Sequence, residues 1–239
     1  MADARPTLAV IGDVHASFER LERVLDRVDQ VAAAQGRLDA ILLVGDLACA
    51  GHGRQRTAEK VRAYKAQVAQ VLAAVRRRGH PFHFVPGNHD LRQVDDPANV
   101  DGRLVSVGGS RLWGLGGAGP DLFGFAYEWP EEEIRAMRVP QVELLLCHAP
   151  PRDTALDRIH DGRHVGSSAV RDLALRTRGV LLCGHIHEAA GMERLGDCLC
   201  LNVGALGAPF PRTTVGFVHG LDHLVLEDLD TGARQEWRR

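Results

Sequence analysis

Apolar residues fall along this chain in two textures, short unbroken runs and longer stretches in which they recur at helical spacing. Thr7 to Asp13 (TLAVIGD) is continuously apolar rather than alternating, which predicts a strand covered on both faces. Ser17 then stands where a helix cap belongs, and Phe18, Leu21, Leu25, Val28 and Ala32 share one helical face until Gly36 closes it. Ala40 to Asp46 (AILLVGD) predicts a second buried strand. Thr57 to Arg78 predicts a second amphipathic helix, with Val61, Val68, Leu72 and Val75 inward. Arg76, Arg77 and Arg78 lie at its negative end, and Gly79 follows. PFHFVPGN, ending at Asn88, predicts the third strand.

The pattern changes from Leu104. LVSVGGSRLWGLGG predicts two short strands around a Gly-Gly-Ser turn. The Gly- and Pro-punctuated AGPDLFGFAYEWP predicts a loop, and Glu131 to Met137 a short helix with an acidic start. VELLLCH and GVLLCGH predict two more buried strands. Between them lie a loop and a helix from about Ser168 to Arg178, capped by Ser167 or Ser168. From Gly191 the tail reads as short strands: CLCLNVG, TTVGFVHG and HLVLEDLD. Strand-helix alternation followed by a strand-rich half predicts an α/β domain of two packed sheets with helices outside. No repeat, low-complexity tract or linker interrupts residues 1–239, so one domain is expected.

Bulk properties narrow the function only by exclusion. With 239 residues, 45% hydrophobic and 25% charged, the chain can bury a real core. A net charge of -2 offers no electrostatic case for nucleic acid or an anionic membrane as partner. No stretch reaches the length of an apolar membrane span, and MADARPTLAVIGD lacks a signal pattern. The five cysteines include no C-x-x-C pair, and Cys147 and Cys183 end apolar runs, which favours buried, reduced thiols and a cytoplasmic location.

The twelve histidines are the unusual count, and several fall at strand ends. The first buried run ends with Asp13 and His15, the second with Asp46, and the third with Asn88 and His89. The fourth ends with His148, and the fifth with His185 and His187. Groups just past the carboxyl ends of neighbouring strands in an open α/β sheet converge on one crevice. Gathering them costs carboxylate repulsion and desolvation, which a pair of divalent cations would remove. Oxygen and imidazole donors suit manganese, iron(II), zinc or nickel better than calcium, and the lack of a thiolate pair argues against structural zinc. Asp13 with His15, and His185 with His187, are two apart and so point the same way on an extended segment. Taken alone, VPGNHD reads as a turn containing a histidine; the ordered set of five carries the signal.

D-x-H, G-D, G-N-H-D, a single H after a strand, and G-H-x-H, in this order from Asp13 to His187, resemble the calcineurin-like metallophosphoesterase superfamily. The resemblance implies a four-layer αββα sandwich of two mixed β-sheets flanked by helices, with a dinuclear metal site at the strand ends. It implies Asp13, His15 and His187 on one ion, Asn88, His148 and His185 on the other, and Asp46 bridging. His89 would be the catalytic histidine outside the ligand set, and Asp90 either orients it or serves the turn. Manganese is the first expectation for both ions, with Fe2+, Zn2+ or Ni2+ as alternatives.

Such a pair would clamp an in-line phosphoryl displacement by a shared hydroxide, while His89 would donate a proton to the leaving oxygen or stabilise the charge developing on it. CHAPPRDTALD, GHIHE and LNVGA are most similar to small stand-alone bacterial members and to animal metallophosphoesterase-domain proteins. The expected substrate is therefore a small phosphomonoester or phosphodiester, cyclic nucleotides included. LACAG after Asp46 lacks the D-R-G extension of the protein serine/threonine phosphatases. A nuclease is the alternative enzyme, although the chain has little room for DNA-capping segments. A non-catalytic scaffold is the other alternative, and the intact ligand set with His89 argues against it.

Specificity is expected in the loops 48–56, 116–130 and 150–166. In GHGRQR, His52 or Arg54 could reach a phosphate, or the segment is a solvated loop. His160 and His164 suit either a substrate rim or the surface. Asn202 reads as a turn amide and His83 as a core or interface residue.

Overall fold

The computed structural model describes residues 6–51 and 53–239. In chain order its first half holds β1 (Thr7–Ile11), α1 (Phe18–Gln35), β2 (Ala40–Leu43), α2 (Ala58–Arg76), β3 (Phe82–Phe84), β4 (Leu104–Val107), β5 (Ser110–Leu115) and α3 (Glu131–Ala136). Then come β6 (Leu144–Cys147), α4 (Ser168–Arg176), β7 (Gly179–Cys183), β8 (Gly191–Leu195), β9 (Cys198–Asn202), β10 (Thr214–His219), β11 (His223–Asp228) and β12 (Arg234–Arg238).

Two mixed sheets result. One runs β12-β11-β10-β1-β2-β3, the other β4-β5-β6-β7-β9-β8. The continuous apolar runs form their parallel centres, β1-β2-β3 and β5-β6-β7-β9. Antiparallel strands close every edge but one, where the parallel β3 ends the first sheet. Alternate residues of each run serve different layers. Ala9 and Ile11 pack under α1 and α2 with Leu21, Leu25, Val68 and Leu72. Leu8 and Val10 instead meet Leu144, Leu146, Val180 and Leu182 between the sheets. On the far side Leu145 and Leu181 lie under Ile134 of α3 and Val170 and Leu173 of α4. Three apolar layers between four structural ones make the αββα sandwich, and its central strands must be apolar on both faces. None of the helices among the described residues is long and apolar enough to cross a membrane.

The predicted elements fall close to these bounds, with instructive departures. β8 and β12, two of the four edge strands, carry no apolar run of their own and are mostly polar, as a strand paired on one side only can be. Thr57 caps α2 as a side chain, accepting the Lys60 amide at 3.3 Å, and Ser167 caps α4 through the Val170 amide at 3.0 Å. Ser17 occupies the cap position of α1 without a side-chain cap bond, its ψ of 73° lying outside the extended region a capping residue adopts. Gly36 does close that helix, at φ 70°.

Candidate metal centre

The carboxyl ends of β1, β2 and β3 from one sheet and of β6 and β7 from the other meet at one edge of the sandwich. Loop backbones tie them together: the His15 amide donates to the Asp46 carbonyl at 2.8 Å, and the Gly184 amide to the His148 carbonyl at 3.1 Å. Onto this edge the fold brings Asp13, His15, Asp46, Asn88, His148, His185 and His187, every donor residue that the sequence pattern singles out. Asp13 and His148 are wholly buried, and Asp46, Asn88 and His187 nearly so.

The donor atoms form two groups joined by one carboxylate. Asp13, His15, Asp46 and His187 each offer an atom within 4.8 Å of the others. His187 Nε2 lies 3.1 Å from Asp13 Oδ2 and 3.3 Å from His15 Nε2. In the second group Asn88 Oδ1 lies 2.9 Å from His148 Nε2 and 3.1 Å from His185 Nδ1. Asp46 Oδ2 stands 3.5 Å from both His15 Nε2 and His148 Nε2, one ring of each group. That is the position a bridging carboxylate would hold.

Proton positions follow from the carbonyls behind the rings. His148 Nδ1 is 2.9 Å from the Val44 oxygen, and His187 Nδ1 is 2.5 Å from the Pro209 oxygen. A carbonyl can only accept, so both Nδ1 atoms carry the proton, and in the neutral rings both Nε2 atoms present lone pairs to the centre. His148 Nε2 therefore faces the acceptor oxygen of Asn88 at 2.9 Å. Two lone pairs at that distance repel unless a cation lies between them. Neighbouring ligands on one ion with bonds of about 2.1 Å stand about 3 Å apart, so the spacing fits a shared metal.

The carboxylates tell the same story. Asp13 Oδ2 accepts the His185 amide at 2.8 Å, but the buried Oδ1 has no hydrogen-bond partner. Burial raises the Asp13 carboxyl above its ordinary value. Burial, then the neighbouring Asp13 and Asp90 charges, raise Asp46 well above its own. Burial and neighbouring imidazoles push His15 and His185 down to about 3, and burial holds His148 well below its usual range. For His187 burial acts downward too, but the hydrogen bond and charge of Asp13 hold it above its ordinary value. Neutral imidazoles are the ligand form, and carboxylates short of donors are what a cation compensates.

The backbone is shaped to make this fit. His15, Asp46 and His185 adopt left-handed conformations at φ 43°, 50° and 68°, unusual for residues other than glycine and typical of functional sites. A side chain at Gly87 would meet Asp46 Oδ1 at 2.1 Å, and one at Gly184 would meet Asp13 Oδ1 at 2.2 Å. Both glycines are there for the carboxylates.

His89 sits beside the centre, half-buried, its ring 5.1 Å edge-on from that of His15 and 4.5 Å from Phe125. Its amide donates to Asp46 Oδ1 at 2.8 Å, and its Nδ1 lies 3.4 Å from Cys49 Sγ. Asp90 is wholly buried, and its carboxylate accepts the amides of Gly87, Leu47 and Ala48 at 2.8, 3.0 and 3.2 Å. It clamps the loop carrying Asn88 and His89 onto the loop carrying Asp46. Burial raises its carboxyl to about 6, against the pull of those amides.

Cys49, Phe125 and the Val44 and Pro209 carbonyls carry no signal in the sequence. They belong to loops whose contacts are set by the sheet order. His52 lies outside the described residues, as does the side chain of Arg54. His164 Nδ1 is bound to the buried Asp157 carboxylate at 2.6 Å, a strut of its own loop. His160 packs edge-on against Phe210 at 4.6 Å. Asn202 is buried and donates to the Leu156 and Ile186 carbonyls at 2.9 and 3.0 Å. His83 is half-buried in β3, and burial lowers its pKa. A cavity of about 930 Å³ lies at the opposite, amino-terminal ends of β5, β6 and β7, lined by Arg111, Glu143 and Arg176, and contains none of the seven donor residues of the centre.

Comparison with known proteins gives three kinds of match. The family model described as calcineurin-like phosphoesterase matches residues 6–189. Among curated proteins, uncharacterized protein MJ1162 of Methanocaldococcus jannaschii is 27% identical over 161 residues, spanning 61% of this chain and 71% of its own. Among solved structures, a dimetal phosphatase from Danio rerio superposes with a TM-score of 0.65 at 13% identity, covering 98% of both chains. TT1561 of Thermus thermophilus gives 0.57 at 19% identity, covering 98% of this chain and 99% of its own. Yfce, a phosphoesterase from E. coli, gives 0.50 at 17%, covering 97% and 98%. At such identities these structures speak for the fold.

Proposed function

The chain belongs to the calcineurin-like phosphoesterase family of metal-dependent phosphoester hydrolases, and from that premise we propose that it cleaves small phosphomonoesters or phosphodiesters, cyclic nucleotides among them, at a centre of two divalent ions. Asp13, His15 and His187 would hold one ion, and Asn88, His148 and His185 the other, with Asp46 shared. The observation that carries this reading is the pair of apposed acceptors, His148 Nε2 against Asn88 Oδ1, beside the unpartnered Asp13 Oδ1. Mixed nitrogen and oxygen donors favour manganese, with iron(II), zinc or nickel next. When bound, the ions supply positive charge for the phosphate oxygens and lower the pKa of a coordinated water.

The chain's own groups do the rest. The Val44 and Pro209 carbonyls hold His148 and His187 in the tautomer whose Nε2 faces inward. Two aspartates against two divalent ions leave the pocket net positive, suited to a phosphate. His89, outside the donor set but on the same face, donates a proton to the leaving oxygen. Asp90 is a positioning residue that fixes the His89 loop against the Asp46 loop, rather than a catalytic one. The five free cysteines support a reducing, cytoplasmic setting, and the shared sandwich core supports one domain.

The test is turnover of a chromogenic phosphomonoester, a chromogenic phosphodiester and single-stranded DNA by manganese-loaded protein, alongside His89→Ala. Metal-dependent hydrolysis of a small ester is expected. The variant should lose about a hundred- to ten-thousand-fold in rate while its metal content stays the same. Silence on all three substrates, or a preference for DNA, would refute the proposal.

A further inference from the structure

Aromatic rings line this site in a row. Phe123 and Phe125 have centroids 6.4 Å apart, and Phe125 is 4.5 Å from His89. His89 is 5.1 Å from His15, and His15 is 5.2 Å from His187. Beyond His187, whose Nδ1 is bound by the Pro209 carbonyl, Phe210 follows with His160 against it at 4.6 Å. The imidazole row thus has the Phe125 and Phe123 rings of the loop 116–130 at one end, and at the other the loop 207–211, in which Phe210 follows the residue that binds His187.

Both ends are turned to solvent. Phe123 is 66% exposed and Phe210 48%, with Leu122 at 76% beside the first. Only two other large apolar side chains among the described residues are so exposed, Leu104 on β4 and Leu175 on α4. Exposed apolar side chains gathered beside a functional site mark ligand contacts.

Neither ring is on a loose loop. The Glu128 carboxylate accepts the Phe123 and Gly124 amides at 3.2 and 2.8 Å, and the Tyr127 amide donates to the Asn88 carbonyl at 3.1 Å. The Phe123 end of the row is therefore anchored to a donor residue of the centre. Phe210 is held at φ 57°, a left-handed conformation costly for a phenylalanine, and the Arg212 amide closes its loop on the Ala205 carbonyl at 2.8 Å.

We infer that the site takes phosphate esters whose organic group carries a planar aromatic ring, gripped by Phe123 or Phe210 while the phosphate sits over the imidazole row. Aromatic faces hold planar rings by offset or edge-on stacking whatever their substituents. A nucleobase and a simple aryl group are the two sources of such a ring. The inference rests on the phosphoesterase reading and adds the substrate class to it.

The test compares manganese-loaded wild type, Phe123→Ala, Phe210→Ala and Leu175→Ala on phenyl phosphate, a purine nucleoside monophosphate, ribose 5-phosphate and glycerol phosphate. Binding of the same four compounds is followed by saturation-transfer NMR. Wild type should favour both ring-bearing esters in kcat/KM by about ten-fold or more. At least one phenylalanine variant should shrink that ratio by about five-fold or more, chiefly through KM. Leu175→Ala, remote from the centre, should leave the ratio as it is. A nucleotide preferred over phenyl phosphate assigns the ring to a base, and equal use assigns it to aryl groups at large; either outcome supports the class. Equal use of ring-bearing and aliphatic esters, or a ratio unmoved in both variants, overturns the inference while leaving the phosphoesterase reading intact. Should none of these monoesters turn over, the monoester half of the phosphoesterase reading fails, and the NMR binding preference still decides this one.

Discussion

Asp157 and Asp13 are both wholly buried, yet the regions around them are built on opposite terms. Asp157 accepts the amides of Asp153, Thr154 and Gly166 at 3.2, 3.0 and 2.9 Å, and His164 Nδ1 at 2.6 Å. Every lone pair that needs a donor finds one in its own loop, so the carboxylate is a strut. Asp13 accepts the His185 amide on one oxygen, with His187 Nε2 3.1 Å from that same oxygen, and nothing on the other. Asp90, with three amides, belongs with Asp157. Burial alone therefore does not mark a functional carboxylate. An incomplete set of donors does, because the missing partner must come from outside the chain.

The largest effect that would break this contrast is at Asp46. Asp46→Asn should lower bound metal, measured by elemental analysis, and bring ester hydrolysis to background, with the fold retained by circular dichroism. Full activity in that variant would remove the bridging role. Next, Asp157→Ala should cost about 3 to 5 kcal/mol in denaturant unfolding, since it strands a cluster of buried donors, while metal content per folded molecule is unchanged. A loss of metal there would show that the two regions are not separate. Chelation of the wild-type protein should lower its unfolding free energy by about 2.7 kcal/mol for each ion that had been present at about a hundred times its dissociation constant.

Asp13→Asn should bind less metal, yet its metal-free form should be more stable than metal-free wild type, by about 1 to 3 kcal/mol, because an uncompensated buried carboxylate has gone. A less stable metal-free variant would mean Asp13 is a strut after all. The smallest effect is His164→Ala, expected to lose about 1 kcal/mol, since Asp157 keeps its three amides.

Much of the fold can be read from the chain because the central strands are covered twice. TLAVI, AILL, LLLC and GVLLC have no polar face to interrupt them, and that same continuity makes the polar residue ending each run conspicuous. The edge strands β8 and β12 are illegible in sequence, since GMERL and RQEWR are mostly charged or polar and hold no apolar run. Ser17 departs from the cap its residue type signals, since backbone angle decides whether the side chain can reach. Asp90 neighbours His89 in the chain, but its carboxylate clamps two loops distant in sequence.

The chain by itself thus determined which seven donors stand at the ends of buried strands, and in what order, because local apolar continuity and the residue that breaks it are both written in consecutive positions. Only the tertiary structure decided that Asp13 meets a backbone amide 172 residues away, that its second oxygen is left without a donor, and that Phe125 and Phe123 continue the imidazole row. Those facts depend on the order and stacking of two sheets, which no window of sequence encodes.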